Sequence, residues 1–186
     1  MKKTKLTTKE CVQISLFIAL ISVCSFWAFP IPFAPAPITM QTFAIFLVGL
    51  SLGKKSGSIA VFIYILMGLL GIPVFSGFGA GIGHLLGITG GFIIGFIPAS
   101  FMIGYIKEIL TKKLHIDMII SASISCIIGL LIIYFFGVVR FAMIANSNFI
   151  SGFLLVALPY FPADLIKMLL AIFTHIAVEK YIAINA

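Results

Sequence analysis

The sequence predicts an all-α membrane protein with six transmembrane helices and both termini on the cytoplasmic side. Three observations carry that prediction. Of 186 residues, 62% are hydrophobic and only 9% charged, far too few charges for a water-facing surface. The apolar runs recur at lengths that suit a bilayer. The lysines gather in short clusters between those runs, the arrangement that sets membrane topology. A single transmembrane domain, 1–186, is expected, with no room for a second.

The first segment covers about 10–29. Lys2, Lys3, Lys5 and Lys9 precede it, as basic residues precede a secretory signal. The run is nevertheless long enough to span, and Val23 stands where a lipoprotein signal needs a small residue before Cys24. A first transmembrane helix is therefore expected. On it, Ser15, Ala19 and the nearby Ser22 form a small-residue face. Such a face admits close approach of another helix, either within this chain or on a partner.

Four prolines between 30 and 37 forbid a helix there, which makes 30–37 an outer loop. The next two segments, 38–52 and 57–72, are short for full spans and suggest a recessed site. The stretch 73–88 is glycine-rich yet apolar. Irregular backbone near a membrane survives only against protein or a wet cavity, so this outer loop is a candidate cap. Segments four and five cover 89–106 and 117–136. An outer link, 137–161, is expected to be partly helical at the interface, and the sixth segment covers 162–181.

The lysines test the layout. Six spans place Lys2, Lys3, Lys5, Lys9, Lys54, Lys55, Lys107, Lys112, Lys113 and Lys180 on one side, and only Arg140 on the other. By the positive-inside rule the lysine side is cytoplasmic. Arg140 reads as an interfacial arginine that snorkels, or as an attractor of anions. The basic balance is thus explained by topology, and no basic stripe with interleaved aromatics points to nucleic acid. Cys11, Cys24 and Cys126 have neither metal-ligand nor disulfide-framework spacing.

Two charges remain inside the apolar layer, Asp164 and Lys167 in the run Pro162-Ala163-Asp164-Leu165-Ile166-Lys167. Pro162 suits a first helical turn. Asp164 then lies at the positive end of the helix dipole, and Lys167 shares its face three residues on. Intramembrane charges are costly and usually functional, so a ligand role is set above a purely structural pair. In the expected topology this turn is at the outer end, where the outer loops converge and an imported solute arrives. Gln41 is placed either to reach a small ligand or to hydrogen-bond between helices. His84 is either a satisfied loop histidine or a pH-dependent ligand contact. Tyr160 adjoins the charged turn and is counted with the site.

No paired carboxylates, metal-spaced histidines or nucleophile with a nearby base are present, so an enzyme is not expected. No resident cofactor is implied. No Walker A motif occurs either, and energy for transport would have to come from another subunit.

At this point the residues resemble a family. Pro35-Ala36-Pro37-Ile38-Thr39-Met40-Gln41-Thr42, Gly49-x-x-Leu52-Gly53, Gly68-Leu69-Leu70-Gly71-Ile72-Pro73-Val74-Phe75, Leu86-Gly87-Ile88-Thr89-Gly90-Gly91-Phe92 and the Asp164–Lys167 run occur in the order found in BioY proteins. These are biotin-specific substrate-binding (S) components of energy-coupling factor (ECF) transporters. The resemblance implies the ECF S-component fold, with the vitamin under the first and third loops near the outer surface. It implies that Asp164 and Lys167 match the family's ligand residues. An aspartate suits the ureido N–H donors of biotin, and a lysine suits its carboxylate. Phe33, Phe75 and Phe78 are assigned to the apolar ring.

Two departures stand out. Gly79-Ala80 replaces a polar residue common in the family, which leaves one hydrogen bond to be supplied by His84 or water. Arg140 falls where an uncharged residue is expected. The implied partners are biotin, membrane lipid, a transmembrane coupling protein and two ATPase subunits, with the Ser15, Ala19 and Ser22 face as docking surface. The rival readings are an S component for another vitamin, an intramembrane enzyme, and a channel or structural membrane protein.

Overall fold

The computed structural model describes residues 7–32 and 34–184; Lys2, Lys3, Lys5 and Phe33 lie outside them. Among the described residues the chain forms seven α-helices and one small antiparallel strand pair. Helix α1 (Thr8–Phe26) starts in a capping box. The Thr7 hydroxyl accepts from the Glu10 N–H, while the Glu10 carboxylate accepts from the Thr7 N–H at 2.8 Å, which satisfies two otherwise open donors. Strands β1 (Ala28–Phe29) and β2 (Ile38–Thr39) then pair across the proline-rich loop. That loop is thereby a fixed hairpin, which hydropathy alone did not reveal.

Helix α2 (Gln41–Leu69) contains the sharpest event in the fold. Gly53 has φ +71° and ψ −175°, a conformation that glycine adopts without steric cost. The chain reverses there. Gln41 Nε2 lies 2.7 Å from Tyr64 Oη although they are 23 residues apart, a separation of about 34 Å along a straight helix. The expected second and third segments are therefore two limbs, 41–52 and 54–69, that fold back on each other. The predicted four-residue link contracts to one glycine, because Lys54 and Lys55 already belong to the second limb.

The cap stretch carries one 3₁₀ turn (Ser76–Phe78) and a short helix α3 (Ile82–Leu86). Helices α4 (Gly90–Lys112) and α5 (Met118–Ala145) follow, then α6 (Phe149–Val156) and α7 (Phe161–Ile184). Helix α5 corrects the expected boundary at 136. Gly137 and Arg140 read as the end of a span, yet the helix continues through both to Ala145, with Gly137 packed against the Phe92 ring. Asn146 closes it in the left-handed conformation. The expected interfacial link is reduced to the single short helix α6.

Among the described residues five helices, α1, α2, α4, α5 and α7, are long and apolar enough to cross a membrane. Helix α4 packs between α2 and α5, while α1 and α7 flank α2. Large apolar side chains such as Leu131, Phe135, Ile166 and Phe173 face outward, as a lipid-facing surface demands. The protein is a helical multi-pass membrane protein.

Candidate functional site

Helix α7 opens at Phe161-Pro162, and the backbone N–H of Asp164 already bonds the Tyr160 carbonyl at 2.9 Å. The first two turns hold Asp164 (3% exposed) and Lys167 (6% exposed). Their side chains meet at 2.8 Å between Oδ1 and Nζ. Two further elements grip the carboxylate. The Thr42 hydroxyl, from the first turn of α2, donates to Oδ1 at 2.8 Å. The Tyr134 hydroxyl, from α5, donates to Oδ2 at 2.8 Å. A buried charge is tolerable only when paired and hydrogen-bonded in this way.

The count of partners defines what is left for a ligand. A carboxylate has roughly four acceptor sites. The described residues fill three, two on Oδ1 and one on Oδ2, so among them Oδ2 keeps one acceptor position open. Among the described residues Lys167 donates to Asp164 alone, which leaves two of its protons. The pair thus presents an acceptor and a donor side by side at the floor of a cavity.

That cavity, of about 60 Å³, opens between the first loop, α2, α4 and α7. Gln41, Thr42, Tyr160, Asp164 and Lys167 all line it, as do the hydroxyl-bearing Thr39, Ser76 and Thr89. Its aromatic wall is Phe92 and Phe96, which share one face of α4 at a four-residue spacing. Gln41 belongs to a bracing chain: Thr39 donates to Gln41 Oε1 at 3.0 Å, Gln41 donates to Tyr64, and Tyr64 donates to the Val74 carbonyl at 2.8 Å. Tyr160 braces too, because its hydroxyl accepts from the Ala36 N–H and donates to the Ala36 carbonyl. The first loop is thus tied to the turn before α7.

The remaining expected contacts lie elsewhere. Phe75 is fully buried beneath the third loop, edge-on to Tyr64 at 5.8 Å. Phe78 is 64% exposed and stacks on Phe26 of α1. Gly79 and His84 pack on each other behind Ser76 and do not line the cavity. Phe33 falls outside the described residues. Arg140 donates to the Leu86 carbonyl, a brace between α5 and α3. On α1, Ser15 and Ala19 are exposed and Ser22 half-buried, while the buried face is Ile14, Ile18 and Ile21.

A family model described as the BioY family matches residues 1–184. The chain belongs to the BioY family. Among BioY proteins it is 37% identical over 164 residues to the "Probable biotin transporter BioY" of Pyrococcus horikoshii, covering 88% of this chain and 92% of that one. It is likewise 37% identical over 175 residues to the "Biotin transporter BioY" of Thermotoga maritima, covering 92% and 96%. A crystal structure of the S-component for biotin from an ECF-type ABC transporter matches with a TM-score of 0.86 and 26% identity, over 95% of each chain.

Proposed function

We propose that this BioY-family chain captures biotin near the outer face of the cytoplasmic membrane and delivers it inward as the S component of an ECF-type transporter. The buried Asp164–Lys167 pair at the cavity floor carries the reading. The open position on Asp164 Oδ2 accepts one ureido N–H of biotin. Lys167 donates to the adjacent ureido carbonyl. This departs from a carboxylate role for Lys167: the two charged groups are 2.8 Å apart, whereas ring and alkyl tail hold the ureido group and carboxylate of biotin much farther apart. The thiophane ring lies on Phe92 and Phe96, and the carboxylate points to the hydroxyls at the rim.

The chain crosses the membrane six times in this reading, the two limbs of α2 counting separately, with both termini cytoplasmic. The lysine clusters support that orientation. The Ser15, Ala19 and Ser22 face of α1 receives the transmembrane coupling protein, which acts with two ATPase subunits. It suits close helix packing because both serine hydroxyls turn back onto their own helix, to the Cys11 and Ile18 carbonyls.

Equilibrium binding of radiolabelled biotin to the purified protein tests the proposal. Saturable binding that Asp164→Ala abolishes is expected. No saturable binding by the wild-type protein, or equal binding by the variant, would overturn it.

A further inference from the structure

The volume that a side chain at Gly79 would occupy is filled by another residue. A Cβ built on Gly79 would lie 2.3 Å from His84 Nδ1, so the absent side chain is what admits the imidazole. The ring stacks on Phe75, with centroids 5.3 Å apart and planes 20° from parallel. Phe75 is itself immobilised, with no exposed surface. Its N–H donates to the Gly79 carbonyl at 2.9 Å, and positive φ at Gly77 (65°) and Phe78 (59°) closes the turn between them. Within that turn sits Ser76, which lines the cavity and whose Oγ is 3.4 Å from His84 Nε2.

The ring therefore wedges between Gly79 and Phe75 and touches the one residue of this turn that faces the site. We infer that His84 is a positioning residue, whose neutral imidazole holds the Ser76 hydroxyl at the cavity rim and whose protonation loosens that turn and hastens biotin release. The inference rests on the biotin reading above.

The electrostatics agree in sign. Burial disfavours the imidazolium and lowers the pKa of His84 from its ordinary value. Packing is then complete above that ordinary value, about 6.5, and weakens as the pH falls below it. Stacking on the Phe75 face offsets part of the penalty, which limits the effect to a several-fold one. Among the described residues the neighbouring elements supply no counter-charge. From α5, Arg140 is cationic and reaches Leu86 of α3, the helix that carries His84. Across the cavity, Asp164 and Lys167 of α7 neutralise each other.

The test follows dissociation of radiolabelled biotin from the full-length protein in lipid nanodiscs at pH 5 and pH 7.5. Wild type should release several-fold faster at pH 5. His84→Gln, which keeps a polar group but no titration, should release at one rate at both values. Ser76→Ala should release fast at both. A pH dependence in His84→Gln equal to that of wild type would overturn the inference, as would pH-independent release from wild type; either leaves the biotin reading standing. A wild-type protein that binds no biotin at pH 7.5 would overturn the biotin reading itself.

Discussion

Neutralising the buried pair one member at a time, and then both, separates its structural cost from its use. Lys167→Met leaves the Asp164 carboxylate buried, though Thr42 and Tyr134 still donate to it at 2.8 Å each. Breaking a buried pair costs about 3–5 kcal/mol. The two remaining charge-assisted bonds reduce that to about 2–3 kcal/mol. For a chain of this size the loss corresponds to a melting temperature lower by about 5–10 °C. Asp164→Asn strands the ammonium, for which no other partner is found among the described residues, and falls at the upper end of the range. The double variant Asp164→Asn/Lys167→Met buries no net charge and should lie within about 1 kcal/mol of wild type. Unfolding of the four proteins in one detergent, without biotin, reads the cycle. The coupling should be at least about 2 kcal/mol. A double variant as unstable as the sum of the singles would refute the claim that the charges chiefly compensate each other. All three variants should lose biotin binding, so stability recovers in the double variant while binding does not.

At the other end of α7, Lys107 Nζ lies 2.6 Å from His175 Nε2 and 2.9 Å from Glu179, and donates to the Leu50 carbonyl at 3.2 Å. Lys107→Met should destabilise by only about 0.5–1.5 kcal/mol, because enclosed His175 keeps Ser51 at 3.0 Å on Nδ1 and Glu179 at 3.1 Å from Nε2, and the Lys107–Glu179 ion pair is screened at the nearly half-exposed Glu179. Biotin affinity should not change, because His175 is about 12 Å along the helix from Lys167; a shifted Kd in a radioligand titration would contradict this. For topology, membrane-impermeant maleimide should label Lys55→Cys only from the cytoplasmic side and Asn146→Cys only from outside, in a background lacking Cys11. Labelling of both from one side would refute six crossings.

The parts of this architecture that were legible in the sequence are those where polarity breaks an apolar run. Asp164 and Lys167 declared themselves that way, and Gln41 and Tyr160 by adjacency to irregular backbone. Gly53 with its two lysines marked the reversal as a link, although hydropathy says nothing of how tightly the limbs close. Tyr134, Phe92 and Phe96 were missed for a physical reason. Inside a membrane helix an aromatic facing a cavity and one facing lipid are equally hydrophobic. A face is assigned only once neighbouring helices are placed. The four-residue spacing of Phe92 and Phe96 was the available signal. Phe75 and His84 do not line the cavity, because a loop's own packing competes with its ligand for the same side chains. Only the three-dimensional fit at Gly79 shows that the ring is already occupied within the loop.

The reversal at Gly53 also sets a distance. Gln41 and Thr42, beside the cavity floor, stand at the start of the first limb, about 18 Å of helical rise from Gly53. The hydrocarbon layer is about 30 Å thick. In the proposed reading, with Lys54 and Lys55 at the cytoplasmic interface, biotin held at Asp164 would already have descended through roughly two-fifths of that layer. It would do so inside protein, opposite charges that lipid would not tolerate. In that reading, what remains for the transport cycle is a septum one short helical limb thick, so moving the protein a modest way past the bilayer would carry the vitamin across it.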